Sequence, residues 1–489
     1  MSSLGAGGAL RTRPALAVLL ASALVAACSW SVPARANGRF PAAFQLVQDP
    51  NDPAHLVAQV TYGLVSTRDG GGTWLWTCER AMGFIGAFDP PIAIAEDGVV
   101  FAAMFDGLGR ATPDGCDWSF VGGPAAGRYS VDVSVSRSDP SVVVALTTDS
   151  LGDGRFEAHL MRSADDGGSF VDVGDPFPED FLGVTLDIAP SDPDRIYVTG
   201  FFARGDNVYE GAFGRSLDGG ETFELSLIEG SDAATGPFLG AVHPTDPDVA
   251  FVRLAGPAGR LLRTADGGDT WGELFQAEGA LLGFALSPDG GTLVFGGEAD
   301  PIRRGPSDVG PFEVVSELRP RCLSWFGDSV FACGSEATDG FTIGLSVDVA
   351  ETFTPLYSRF CTSGPLECPD GTSIGTICPA EWEVLRDSIS ADACFGSGGS
   401  EAASTVTSSG DGVSAASTSE VAAASGAGGG ASSGDSESSS GCCSVAGRSA
   451  SGRPAGTALL AAGVALFARR RARRQKPGTF ACNTPPHLP

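Results

Sequence analysis

Acids, arginines and aromatics are the side chains with chemistry to offer in this 489-residue chain, so the first question is whether their spacing concentrates any of it. Acidic residues outnumber basic ones 59 to 31, and the formal net charge is -28. Pairs of carboxylates are therefore present everywhere and discriminate nothing, because acid–base work on a glycosidic bond needs a separation of about 5 to 9.5 Å that spacing alone does not supply. The same charge argues against nucleic acid as a partner, which is held by Lys and Arg patches. His55, His159, His243 and His487 are far apart and form no metal-ligand pattern. Asp149-Ser150-Leu151-Gly152-Asp153-Gly154 has some acids of a calcium loop but lacks its terminal bidentate carboxylate, so a plain acidic loop is expected. No Gly-rich phosphate cradle stands out. We expect no catalytic residue, metal or cofactor, with divalent cations at most loosely held by surface acids. The most suggestive cluster is Phe201, Phe202, Arg204, Asp206 and Tyr209, joined by Asp149, Asp153 and Arg155: aromatic faces beside polar groups, as a sugar or peptide surface requires. The competing reading is an apolar loop folded back on its own strands.

The elements that must position these residues are announced by a repeat. Thr67-Arg68-Asp69-Gly70-Gly71-Gly72-Thr73-Trp74 returns at 163–170, 216–223, 264–271 and 346–353, the last with Ala350 for the second Gly. Worn copies stand at 112–118, one residue short, and at 305–312, so seven copies recur at intervals of roughly 40 to 53 residues. Each box has the makings of a tight turn: a hydroxyl and an Asp that bond nearby backbone, glycines that accept positive φ, then an aromatic anchor. The pairs are Asp69 and Trp74, Asp114 and Trp118, Asp165 and Phe170, Asp218 and Phe223, Asp266 and Trp271, and Asp348 and Phe353. Upstream of each box lie two strand-like runs split by an Asp/Pro/Gly turn, such as Asp49-Pro50 or Ser138-Asp139-Pro140, so one unit reads as four short strands. Such a unit cannot cover both faces of its own sheet, and seven of them stack into a closed, all-β, seven-bladed β-propeller over 40–358.

These boxes resemble the Asp-box, or bacterial neuraminidase, repeats of sialidases, xyloglucanase-type glycosidases, sortilin-like receptors and photosystem II assembly-factor-like proteins. The resemblance covers about residues 40–358 and implies propeller blades in which the box is structural, on the rim away from the active face. It also implies what a sialidase would need, three arginines converging on a substrate carboxylate. Arg110, Arg162, Arg215 and Arg263 instead stand one or two residues before a box, and a residue that recurs with the blade points around the ring.

Strand order puts the box and the Asp-Pro turn on one face. The second-to-third and blade-to-blade connections occupy the other, and variable loops on a rigid scaffold are where binding usually lives. The longest expected there are 149–156, 201–211, 229–237 and 335–340.

The ends of the chain speak of export. Arg11 and Arg13 before an apolar run form a secretory signal, with two competing exits. Ala34-Arg35-Ala36 favours cleavage after residue 36, whereas Val25-Ala26-Ala27-Cys28 is an acceptable lipobox in which Cys28 would be lipidated. Residues 396–441 are almost all Gly, Ser, Ala and Thr and read as a disordered linker. Cys442 and Cys443, a short apolar run and the arginines at 469–474 resemble the MYXO-CTERM sorting tail of myxobacterial surface proteins, though the cysteines are adjacent and 475–489 trails beyond as a disordered tail. That resemblance implies a sorting or anchor segment at 442–474 whose apolar run, 454–468, is a short C-terminal hydrophobic helix, with display at the cell surface or outer membrane of a Gram-negative bacterium.

Twelve cysteines suit an oxidising compartment. Cys361, Cys368, Cys378 and Cys394 define a Cys-rich module at 359–395, where two internal disulfides are expected in one of three pairings. Cys322 and Cys333 flank a Gly327-Asp328 turn and face each other across a hairpin; Cys78 and Cys116, from neighbouring blades, form a further candidate pair. The reading is an exported binding or adhesion propeller on a stalk, its partner an extracellular polysaccharide or a surface protein. The alternatives are a secreted glycoside hydrolase and a structural envelope or assembly factor.

Overall fold

The computed structural model describes residues 40–85 and 88–395. The chain divides into a unit of residues 1–41, of which only the last two are described, and a unit from 42 onward that holds every described strand. The signal segment, the linker and the sorting tail, with Cys28, Cys442 and Cys443, lie outside the described residues.

Seven four-stranded antiparallel sheets follow one another along the chain, spanning 43–77, 92–120, 130–173, 181–232, 237–276, 281–316 and 322–357. This is the seven-bladed propeller that the repeat demands. Second strands such as Leu56–Val60 and Val100–Met104 are buried at every position, because adjacent blades cover both faces of the sheet. Outer fourth strands such as Val171–Val173 are largely exposed and short. The ring closes where blade 7 meets blade 1: Ser324 donates to the Leu46 carbonyl at 3.0 Å, and Leu46, Val60, Phe331, Ile343 and Tyr357 share one core.

The five full boxes repeat one hydrogen-bond pattern. The leading hydroxyl donates to the Asp at 2.7 to 2.8 Å, and it accepts from the backbone N–H four residues on. The Asp in turn accepts from the N–H four residues beyond itself, Thr73, Ser169, Thr222, Thr270 or Thr352. These bonds hold Asp165, Asp266 and Asp348 down to about 2, led by the side chains of Ser163, Thr270 and Thr352 respectively. Glycine is required at Gly71, where φ is 103°, whereas in the last box Val349 and Ala350 adopt φ of 58° and 69° in its place. Of the anchors, Trp74 and Phe170 are buried, while Trp118, Phe223, Trp271 and Phe353 are half-buried. Blade 6 moves the chemistry to its other corner: Ser287 bonds Asp289 between the first and second strands, and Phe312 follows a cis Gly310-Pro311 bond where the box should be.

Box and Asp-Pro turn do share a face. Gly70, Asp166, Gly219 and Gly267 donate backbone N–H to the carbonyls of Ala54, Ser141, Asp194 and Asp248 in the turn of the same blade. Arginines then strap some blades to the next, among them Arg162 and Arg215 of the four that recur before a box. Arg162 reaches the Gly219 carbonyl at 3.0 Å and Asp194 at 3.1 Å, and Arg215 reaches the Asp266 carbonyl at 3.0 Å. Arg68 and Arg304 make equivalent bonds to Pro113 and Val349.

Residues after blade 7 correct the expected self-contained module. Thr362–Pro365 adds a fifth, parallel strand to the outer edge of blade 1, and a helix over Ser373–Ile389 follows. Only Cys361–Cys394 is internal; the other two disulfides are Cys78–Cys378 and Cys116–Cys368, while Cys322–Cys333 bridges its hairpin as expected. The proposed Cys78–Cys116 pair fails for a topological reason. Cys78 follows the fourth strand of blade 1, at the face opposite the boxes, whereas Cys116 belongs to the box of blade 2. That box is worn because it has another use. Asp117 accepts from Ser373 N–H at 2.7 Å at the helix N-terminus, and Trp118 N–H donates to Ser373 Oγ at 3.0 Å. Trp382 lies 5.8 Å from Trp76, and a buried hydroxyl chain runs from Tyr62 through Tyr357 to Thr362, at 3.0 and 2.6 Å. Residues 359–394 are thus a clasp across the seam of blades 7, 1 and 2.

Candidate binding face

The connections on the face opposite the boxes are shorter than the sequence suggests, because the flanking strands run on. Blade 3 pairs Val143–Gly152 with Arg155–Ser163, leaving Asp153-Gly154 as a two-residue turn, and blade 4 pairs Ile196–Ala203 with Tyr209–Ser216. The stretches 149–156 and 201–211 are therefore hairpins, and Glu224–Asp232 likewise extends into the third expected loop. The acidic segment is a tight turn with Asp153 at φ 54°. No group of three or more metal-capable side chains occurs among the described residues.

The two hairpin tips meet: Gly154 packs against Ala203, Phe156 N–H bonds the Glu179 carbonyl, and Ala203 N–H bonds the Asp180 carbonyl. So the predicted residues of both blades come together, with one exception. Phe201 is fully buried, its ring meeting Tyr209 edge-on at 6.1 Å, and it leaves the surface because the strand alternates inward at that position. Phe202 is half-buried beneath the Arg204 guanidinium at 4.6 Å. Arg204 bridges Asp180 at 2.9 Å and Glu210 at 2.6 Å, Arg155 pairs with Glu179 at 3.1 Å, and Asp206 lies exposed in the turn. Asp149 is half-buried, and desolvation raises its carboxyl above the usual range.

Next to this patch is a shelf that the sequence reading missed. Phe105, in the second-to-third turn of blade 2, stacks on Tyr129 at 4.7 Å and touches Phe88, from the blade 1 to blade 2 connection, at 4.3 Å. All three rings are half-buried, and Ile85 beside them in sequence is 79% exposed. Tyr129 N–H reaches Asp149 at 3.4 Å, which joins the shelf to the blade 3 hairpin. The legible signal was two Phe-Asp pairs, Phe88-Asp89 and Phe105-Asp106, in successive connections on one face.

Paired carboxylates occur elsewhere, on the first strands of blades 3 and 4. Asp132 accepts from Leu186 N–H at 2.9 Å, and Asp187 accepts from Ser134 Oγ at 2.9 Å. Both are half-buried between these two strands. Burial pushes Asp132 up to about 7 and also raises Asp187. Their oxygens satisfy strand edges that diverge from one another, which is a structural task. The remaining arginines form no convergent set either: Arg110 lies 5.9 Å from the Phe101 ring, inside its own blade, and Arg263 is half-buried there. Of the histidines, His159 sits in the third strand of blade 3 beside Glu157, His487 lies outside the described residues, and His55 and His243 sit in turns. His55 is buried beside Asp49, burial and then Arg68 lowering its pKa, while His243 accepts from Thr245 and Asp246 N–H.

No protein-family model matches this chain, and no curated protein matches it in sequence. Solved β-propellers are similar in fold. An ancestral GH74 enzyme matches at 13% identity with a TM-score of 0.44, covering 57% of this chain and 39% of its own. The GH74 xyloglucanase from Xanthomonas campestris matches at 15% identity with a TM-score of 0.28, covering 68% and 57%. YCF48 from Cyanidioschyzon merolae matches at 13% identity with a TM-score of 0.37, covering 65% and 86%. The chain thus spans 39% and 57% of the two GH74 proteins, and these likenesses concern fold alone.

Proposed function

We propose that this chain is an exported, non-catalytic binding or adhesion propeller of the Asp-box kind, displayed at the cell surface on its linker by a MYXO-CTERM-like tail. The observation that carries the reading is the continuous arc on the variable face. It runs from Phe88, Phe105 and Tyr129 through Asp149 to Phe202, Arg204 and Tyr209, and combines half-exposed rings with polar rims. Aromatic rings supply contact area at low entropic cost, and rims of this kind give orientation. The four disulfides among the described residues fit an oxidising, extracytoplasmic setting. The partner is an extracellular polysaccharide or a surface protein.

A glycan array and a surface-protein overlay with residues 37–395 test this. Binding should weaken at least tenfold in Phe105→Ala and Tyr129→Ala with the fold intact; binding that ignores both substitutions removes the arc from the account. The glycoside hydrolase alternative requires release of reducing sugar from a polysaccharide panel, abolished by Asp149→Asn. An envelope or assembly factor would ignore the glycans and instead change envelope composition when deleted.

A further inference from the structure

The clasp disulfides join cysteines made early to cysteines made late, across 300 and 252 residues. At about 5 to 20 residues per second, Cys116 waits roughly 13 to 50 s for Cys368. Disulfide chemistry begins within seconds, so both early thiols are open to it meanwhile. Much of the cover over Cys78 is also absent then, since Ile374, Cys378 and Leu385 of its core belong to the clasp. Cys78 and Cys116 are only about 38 residues apart, and closure probability falls as about the 3/2 power of length, which favours their mutual pairing over a 300-residue loop by about 20-fold. Yet the finished wheel sets them at opposite faces, where that bond is impossible.

We infer that the chain passes through a non-native Cys78–Cys116 disulfide and is a client of a dithiol isomerase. The Cys378 thiolate, or the isomerase acting for it, attacks Cys78 Sγ. The Cys78–Cys116 bond breaks, its electron pair leaves as the Cys116 thiolate, and Cys78–Cys378 forms without net oxidation. Cys116 and Cys368 then give two electrons and two protons to a disulfide oxidant such as oxidised glutathione, which becomes two thiols. Cys322–Cys333, eleven residues apart across a hairpin, needs no such help.

The test is cell-free synthesis of the full chain, in a Cys28→Ser background, in glutathione redox buffer with and without a purified disulfide isomerase. Thiols are trapped by alkylation at intervals and pairs mapped by mass spectrometry. A Cys78–Cys116 peptide should appear first and decay, and isomerase should speed both clasp pairs at least tenfold while leaving Cys322–Cys333 unchanged. Direct appearance of the native pairs, or isomerase-independent rates, overturns the inference. In a Cys78→Ser/Cys378→Ser variant the acceleration of Cys116–Cys368 should vanish, and its persistence also overturns it; mapping reads covalent bonds whether or not that variant folds.

Discussion

Blades 3 to 6 and the seam of blades 7, 1 and 2 belong to one ring but are held by different chemistry. Along the arc, at the junctions of blades 3, 4 and 5, the arrangement repeats: a box with its Asp bonded to backbone, and an arginine, Arg162 or Arg215, reaching the next box. At the seam the chain has no next blade to reach. There a helix, a parallel strand, two disulfides and a buried hydroxyl chain close the ring, beside an Arg68 strap from blade 1 to blade 2. Repetition suffices where neighbours are made in sequence, and a dedicated closure is needed where the first and last blades must find each other.

The largest expected effect falls on the seam. Removing both clasp disulfides with Cys78→Ser/Cys378→Ser and Cys116→Ser/Cys368→Ser should lower unfolding free energy by about 5 kcal/mol in guanidinium titrations, since each closes a very long loop. An unchanged midpoint would mean the ring closes unaided. On the arc, Arg162→Ala or Arg215→Ala should each cost about 2 kcal/mol by removing charge-assisted bonds to the next blade, with hydrogen exchange rising at that blade's box. Exchange that rises everywhere equally would deny that the straps act locally. Smaller still, Asp117→Ala should cost about 1 kcal/mol through the lost helix cap, whereas Val349→Gly should gain about 1 kcal/mol by relieving a left-handed β-branched residue.

The gentlest test is pH. Asp165, Asp266 and Asp348 sit near 2 in the fold and near 3.9 unfolded, so their contribution is complete above about pH 4 and is lost as pH falls towards 2. Asp132 works in the opposite sense: the folded chain keeps its proton up to about pH 7 while the unfolded chain sheds it near 3.9, so stability declines as pH rises through that window. Thermal melts between pH 4 and 8 should show the decline, and Asp132→Asn should flatten it.

The arc was legible because its physics is local: Ser216, Asp218 and Gly220 bond within one turn, so the sequence that spells the turn also spells the blade. The seam was not, because Cys78 and Cys378 meet only through the closure of seven sheets, and no local pattern reports a contact across 300 residues. The face lay in between. Strand order assigned the correct side to Arg204 and Tyr209, but periodicity did not reveal that the strands extend through 149–152 and 201–203, which buries Phe201. The Phe88, Phe105 and Tyr129 shelf depends on three separate connections converging, and each ring alone looks like an ordinary loop anchor.

The clasp is bonded to blade 1, blade 2 and blade 7, where it holds both the last strand and Glu336 and Thr342 before the third. Duplication or loss of a middle blade would therefore leave every latch residue with its present neighbours, and only the ring's curvature would have to adjust. The closure marks one sector of a nearly uniform wheel and leaves the spoke count to geometry.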